Sequence, residues 1–266
     1  MARASLGVAI LRAGMDGERD LWFHLSRLGV GAVFGAAFRI RFGGLLNIPS
    51  SGGALICTNH VSVLDPVFVG LAGARRGRPV RFLALSELFD SGIVGWAIRK
   101  TRQIPLRRGT GDWDAIHAVA AVVRSGALAG MSPEGRVTDG VEELAGQKGA
   151  ARIALAADRP VIPSGIWGSN YRWPQEGLRH AGPLRPPVVL VFGRPIHAAG
   201  DPRDPRDVRA LTERIMADVR RLRGIARARA EGLLPGPPPA DVASPAPPPV
   251  SGPPAGEKLD GDPAHP

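Results

Sequence analysis

Apolar residues fall into two regimes along the chain. Between residues 21 and 40, Trp22, Leu25, Leu28, Val33, Phe34 and Phe38 recur at helix-like spacing, with Arg27 and Arg39 among them. This predicts one amphipathic helix over residues 21–40. Such a helix suits either a membrane interface, with arginine anchors, or the core of a domain, because periodicity alone does not separate a lipid from a protein partner. From residue 54 the pattern changes to short apolar runs, Ala54–Cys57, Val80–Leu85, Ile104–Leu106, Ala127–Met131, Pro160–Ile166 and Val188–Phe192, which read as strands. Helical stretches lie between them at Pro66–Ala74, Glu87–Arg99, Trp113–Arg124 and Ala150–Ala157. Strands alternating with helices imply crossover connections, hence an α/β domain with a largely parallel central sheet flanked by helices. A last helix is predicted over Asp207–Ala230, with Val208, Leu211, Ile215, Val219 and Leu222 three or four apart and most of its arginines elsewhere. Its basic face fits an anionic lipid surface, and equally a solvated helix closing the sheet.

Composition sets the boundaries. Residues 235–266 hold 12 of the 26 prolines and four glycines with almost no large apolar residue, so they are expected to be a disordered tail. The expected organisation is an N-terminal extension (1–20), the amphipathic helix (21–40), one folded domain (41–234) and the tail. The chain carries +10; the tail's own balance is −3, so +13 sits on residues 1–234. A single cysteine, Cys57, excludes an internal disulfide framework and a cysteine-rich zinc module. It lies inside a predicted buried strand and reads as an inert apolar filler. No stretch reaches the run of about 20 apolar residues that a spanning helix needs, and no cleavage pattern follows the apolar run at 4–11, so no secretory signal is read. The histidines show no ligand spacing, and no metal or cofactor is expected.

The chemistry gathers after the first strand of the alternating region. Ala54–Cys57 runs into Thr58-Asn59-His60 and on to Asp65-Pro66. On one helix, five residues turn about 500° and would point His60 and Asp65 apart. Pro66 is well placed as a first helical residue with Asp65 as N-cap, which leaves His60 in a loop able to fold back on Asp65. A carboxylate on one imidazole nitrogen frees the other to take a proton from a hydroxyl. A cap and a loop histidine would have the same spacing, so the pair gains weight only from two segments downstream. Ile104-Pro-Leu106 ends in Arg107-Arg108-Gly109, and Ser132-Pro-Glu134-Gly135-Arg136 succeeds the strand at 127–131. Guanidinium groups at strand ends would face the pair, match phosphate oxygens bidentately and be held by Glu134.

These segments, with Pro160–Pro163 and Gly165, resemble the lysophosphatidic acid acyltransferases, the PlsC-type 1-acylglycerol-3-phosphate O-acyltransferases, over about residues 40–200. Asn59-His60 through Asp65-Pro66 looks like the family's N-H-x4-D-P motif, Ile104-Pro105-Leu106 with Arg108-Gly109 like its second block, Pro133-Glu134-Gly135-Arg136 like its third, and Pro160–Pro163 with Gly165 like its fourth. The third departs from the usual F-P-E-G-T-R: Ser132 replaces the aromatic and the threonine is missing. Leu85 and Arg107 stand where relatives carry a lysine and an acid, which bears on acceptor recognition. The resemblance implies an O-acyltransferase in which His60 and Asp65 are catalytic, Arg108, Glu134, Gly135, Arg136 and Pro163 bind substrate, and acyl-CoA or another acyl thioester is a co-substrate. It implies a lysophospholipid acceptor, and peripheral attachment to an anionic membrane surface on the cytoplasmic face of the cell membrane.

Besides an acyltransferase acting on another glycerolipid or glycolipid acceptor, two rivals stay open. A hydrolase or thioesterase would use the same His60–Asp65 pair on water. A nucleic-acid-binding protein would account for the basic body, although a lone tyrosine, Tyr171, argues against base stacking, and no nucleic acid is expected as partner.

Overall fold

The structure, a computed structural model, describes residues 21–106, 113–139, 144–172 and 184–232. Seven strands form one sheet: β1 (Arg39–Gly43), β2 (Ala54–Thr58), β3 (Val80–Leu85), β4 (Ile104–Leu106), β5 (Leu128–Met131), β6 (Val161–Trp167) and β7 (Pro187–Phe192), in the order β1-β7-β6-β2-β5-β3-β4. Five neighbouring strands are parallel; β7 runs antiparallel to β6, and β1 runs parallel to β7. The helices are α1 (Leu21–Ala37), α2 (Asp65–Arg75), α3 (Gly92–Lys100), α4 (Trp113–Arg124), α5 (Gly149–Ala157) and α6 (Pro205–Ala230). The expected α/β class and mostly parallel sheet are what the structure has.

Every residue of β2 and of β6 is buried, as befits central strands covered on both faces. Alternation divides them: Leu55 and Cys57 join a core with Val119, Ala120, Ala154 and Ile215, whereas Ala54 and Ile56 join another with Phe68, Val69, Leu190 and Phe192. The two cores are the layers above and below the sheet. Burial pushes the Cys57 thiol far up, in keeping with the inert filler expected of it.

Chain order fixes where chemistry can occur. From β2 the chain crosses to β3 and β4, returns through β5, which inserts beside β2, then passes to β6 on the other flank. The direction of winding therefore reverses around β2. Open α/β sheets bind ligands beyond the carboxyl ends of the strands at such a reversal, and His60 is two residues past the end of β2.

Several boundaries differ from those the periodicity predicts. The helix expected to reach Ile40 stops at Ala37, because Arg39-Ile-Arg-Phe alternates with period two and pairs with β7 as an edge strand. The helix expected over Glu87–Arg99 is a 3₁₀ turn, Ser86–Asp90, followed by α3. Part of α1 serves the core and part faces outward. Phe34 and Phe38 pack edge-on against Phe68 of α2 at 5.4 and 5.2 Å between ring centres, whereas Leu28 and Val33 remain exposed. Among the described residues no helix is long and apolar enough to cross a membrane. The expectations for residues 1–20 and 235–266 lie outside the described residues.

The last helix closes the sheet. It buries Val208, Leu211, Ile215, Val219, Leu222 and Ala226. Asp204 caps its start by accepting from the Arg206 N–H at 2.8 Å, with Pro205 as first residue. Close approach to β6 requires a glycine at position 165, since a Cβ there would run into the backbone of Leu222 and Arg223. This contact brings Arg223 toward the strand-end edge where His60 lies.

Candidate active site

The loop after β2 folds back on the start of α2. Asp65 N–H bonds the Ser62 carbonyl at 3.0 Å and the Leu64 N–H bonds the Ser62 hydroxyl at 3.1 Å, closing residues 62–65 into a tight turn. Asp65 is thereby turned back into the loop and is not the N-cap expected of it. The helix begins at Asp65 itself, and the capping position is Leu64, whose side chain makes no such bond.

The Asp65 carboxylate is saturated. Its Oδ2 accepts from His60 Nδ1 at 2.9 Å, from the Val61 N–H at 2.7 Å and from the Ser62 N–H at 2.9 Å. Its Oδ1 accepts from the Ser169 hydroxyl at 2.5 Å. Hydrogen bonds to an ionised carboxylate are short and strong, and this group is 1% exposed, so four donors take the place of water. A carboxylate only accepts, so Nδ1 of His60 carries the ring proton and Nε2, on the far side of the ring, keeps its lone pair. The His60 side chain is 23% exposed against 1% for its partner. A fixed, buried orienter thus presents a partly open base.

The backbone of His60 is held as firmly as its ring. Its N–H donates to Glu134 Oε2 at 2.9 Å and its carbonyl accepts from the Thr138 N–H at 2.8 Å, both from the loop after β5. Asn59 ties the end of β2 to β6: its amide donates to the Ile166 carbonyl at 3.0 Å and accepts from the Ile166 N–H at 2.8 Å. Three strand ends, β2, β5 and β6, therefore converge on one imidazole.

Glu134 grips the loop of His60 through a backbone N–H, and Arg223 of α6 acts on it electrostatically. Burial pushes its carboxyl above the ordinary value near 4.5; the His60 N–H, Arg223 and the His60 ring pull the other way, and Asp65 adds to the rise. The turn that aims it is legible in sequence. Ser132-Pro-Glu-Gly135 places proline and glycine at the second and fourth turn positions, closed by the Gly135 N–H on the Ser132 carbonyl at 3.3 Å. Gly135 itself sits at φ +74°, a conformation that favours glycine.

Of the remaining expected site residues, Arg136 is exposed on this same loop. Arg108 lies outside the described residues, although β4 ends at Leu106 opposite Leu85 and so delivers the chain beyond it to the same edge. Pro163 is buried in mid-strand, opposite Cys57, with its carbonyl taken by the Gly193 N–H at 2.8 Å. From β6 it is Ile166 and Ser169 that reach the site. Ser169 is missing from the residues expected on sequence grounds, yet Trp-Gly-Ser after an apolar run carries a signal: Gly168, at φ +97°, turns the chain just past the strand end.

A family model described as Acyltransferase matches residues 39–167. The chain is similar to the chloroplastic 1-acyl-sn-glycerol-3-phosphate acyltransferase LPAT1 of Arabidopsis thaliana, 27% identical over 167 residues, which cover 61% of this chain and 45% of that protein. It is also similar to the 1-acyl-sn-glycerol-3-phosphate acyltransferase of Bacillus subtilis, 24% identical over 180 residues, covering 66% of this chain and 84% of that one. The match thus spans less than half of the plant relative and most of the bacterial one. Among solved structures, the 1-acyl-sn-glycerophosphate acyltransferase PlsC from Thermotoga maritima shares the fold, with a TM-score of 0.56 at 22% identity over 85% of this chain and 88% of that one.

The raised carboxyl of Glu134 gives a stability test. A group whose folded value is raised binds its proton more tightly when folded, so its contribution is largest at low pH and is lost as pH rises from about 4.5 through the folded value. Urea unfolding of wild type and Glu134→Gln across pH 4 to 7 is expected to show wild type losing stability relative to the variant as pH rises. Parallel pH profiles would contradict it.

Proposed function

We propose that this chain, which matches the Acyltransferase family model over residues 39–167 and is similar to 1-acyl-sn-glycerol-3-phosphate acyltransferases, transfers a fatty acyl group from acyl-CoA to the free hydroxyl of a lysophospholipid, lysophosphatidic acid, forming phosphatidic acid. The observation that carries this reading is the Nε2 lone pair of His60, fixed in its tautomer by an acceptor-only Asp65 whose Oδ2 already receives three donors.

The step balances as a direct transfer. Nε2 removes the hydroxyl proton as the lysolipid oxygen attacks the thioester carbonyl carbon. The carbon–sulfur bond then breaks, and the departing thiolate takes the proton back from the imidazolium as coenzyme A. Asp65 holds the ring and stabilises its transient positive charge. No acyl-enzyme is needed, in keeping with the buried Cys57. Arg136, exposed beside the turn that holds His60, is assigned to the acceptor phosphate, and Arg108 joins it by family resemblance.

Thiol release is the assay. With acyl-CoA present, release is expected to require lysophosphatidic acid, to yield phosphatidic acid by mass spectrometry, and to fall about 10² to 10⁴-fold in His60→Ala, the usual worth of a positioned general base. Release without lysolipid would favour a hydrolase. Arg136→Ala is expected to raise the acceptor KM or lower kcat/KM while leaving the donor KM in place. Unchanged acceptor kinetics would remove Arg136 from the phosphate role.

A further inference from the structure

On the flank of the sheet that lies three strands from β2, α1, the edge strand β1 and the end of α2 enclose a groove of about 610 Å³, a size typical of ligand sites. Four guanidinium groups surround it: Arg39 and Arg41 from β1, Arg75 from α2, and Arg185 ahead of β7. Among the described residues, no acidic one lines it. Its other walls are apolar, with Phe38, Ile40, Phe42 and Leu71, and the small residues Gly31 and Gly35 of α1 leave room between them.

The arginines are partly set in place by the fold. Arg39 donates through Nε to the Arg185 carbonyl at 3.0 Å, and Arg185 donates to the Gly35 carbonyl at 2.5 Å. Arg75 lies over the Phe42 ring at 5.5 Å. These contacts orient the guanidinium groups without neutralising them. Four like charges in one concavity repel each other, and an anion entering it relieves that repulsion. A free inorganic anion would leave the apolar walls wet, whereas a phosphodiester carrying an acyl chain matches both halves of the lining.

We propose that this groove binds the headgroup and upper acyl chain of one anionic phospholipid of the membrane, at a site separate from the catalytic one. Its α2 wall, at residues 71–75, begins about 9 Å along the helix axis from Asp65, at 1.5 Å per residue. Leu28, exposed on α1 at the groove's lip, provides an apolar contact for the surrounding leaflet. A lipid held here would fix the molecule on the bilayer that supplies an insoluble acceptor. The inference goes beyond the transferase reading and is tested without turnover.

The test compares two charge-matched double variants. Arg41→Gln/Arg75→Gln empties the groove of two charges and keeps their aliphatic stems; Arg206→Gln/Arg209→Gln removes two exposed charges from the start of α6. Thermal unfolding verifies that each folds. Co-sedimentation with phosphatidylcholine vesicles containing phosphatidylglycerol is expected to weaken about tenfold or more in the groove variant and about twofold or less in the control. A photoactivatable phosphatidylglycerol is expected to label peptides from residues 28–42 or 71–75 in wild type. Equal weakening in both variants would overturn the site in favour of the diffuse field of the basic body. Labelling abolished by millimolar inorganic phosphate would overturn the lipid occupant. Thiol-release kinetics with a short-chain soluble acceptor are expected to be unchanged in the groove variant; a raised acceptor KM would overturn the proposal by making the groove part of the substrate site. Failure of the transferase reading would instead show as no lysolipid-dependent release in wild type, with vesicle binding intact.

Discussion

One buried carboxylate organises the candidate active site of this protein. Asp65 has no water to lean on, so its charge is tolerable only while His60, Val61, Ser62 and Ser169 all donate to it. That requirement fixes the loop after β2, selects the imidazole tautomer and draws in a residue from the far end of β6. Removing any donor strands charge in a dry site, so the geometry is defended by the cost of its alternatives.

The sheet explains why these groups meet. Residues 60, 134 and 169 are distant in sequence but lie just past the carboxyl ends of three adjacent parallel strands, β2, β5 and β6. Parallel register alone delivers them to one edge, and the reversal of winding around β2 leaves that edge open between the crossovers. Asn59 and Glu134 then replace the ladder where it ends, one bonding β6 and the other holding the backbone of His60. In the proposed reaction a substrate would meet a base whose position is set by both ring and main chain, the condition under which proximity lowers a barrier. The second concavity, by contrast, lies where α1 and the edge strand join the body, and its chemistry is that of a cationic, greasy groove.

Much of this architecture is legible in the sequence, for identifiable reasons. Alternating apolar runs and helical stretches reveal the α/β class, because central parallel strands need residues that are apolar on both faces. Pro66 marks the helix start within a residue, and the His60–Asp65 pairing is inferred from a loop too irregular to be helical. β1 is hidden because a five-residue edge strand directly after an apolar helix continues that helix's apolar composition. The partners of Glu134 and Asp65 are hidden because they arise between segments 74 and 104 residues apart, a separation no local pattern encodes. Charge misleads in one respect. Arg78, part of the basic excess, is fully inside and bonds the carbonyls of Pro49, Gly52 and Gly126, so it serves the fold rather than any anion.

Catalysis of the proposed kind requires that Asp65 hold His60 with its proton on Nδ1 and its lone pair on Nε2. Nitrogen-detected NMR of histidine-labelled protein above pH 7 reads that directly. The expected result is a His60 signal with a protonated Nδ1 and an unprotonated Nε2, lost as a fixed tautomer in Asp65→Asn. A His60 protonated on Nε2, or one exchanging freely between tautomers in the wild type, would contradict it.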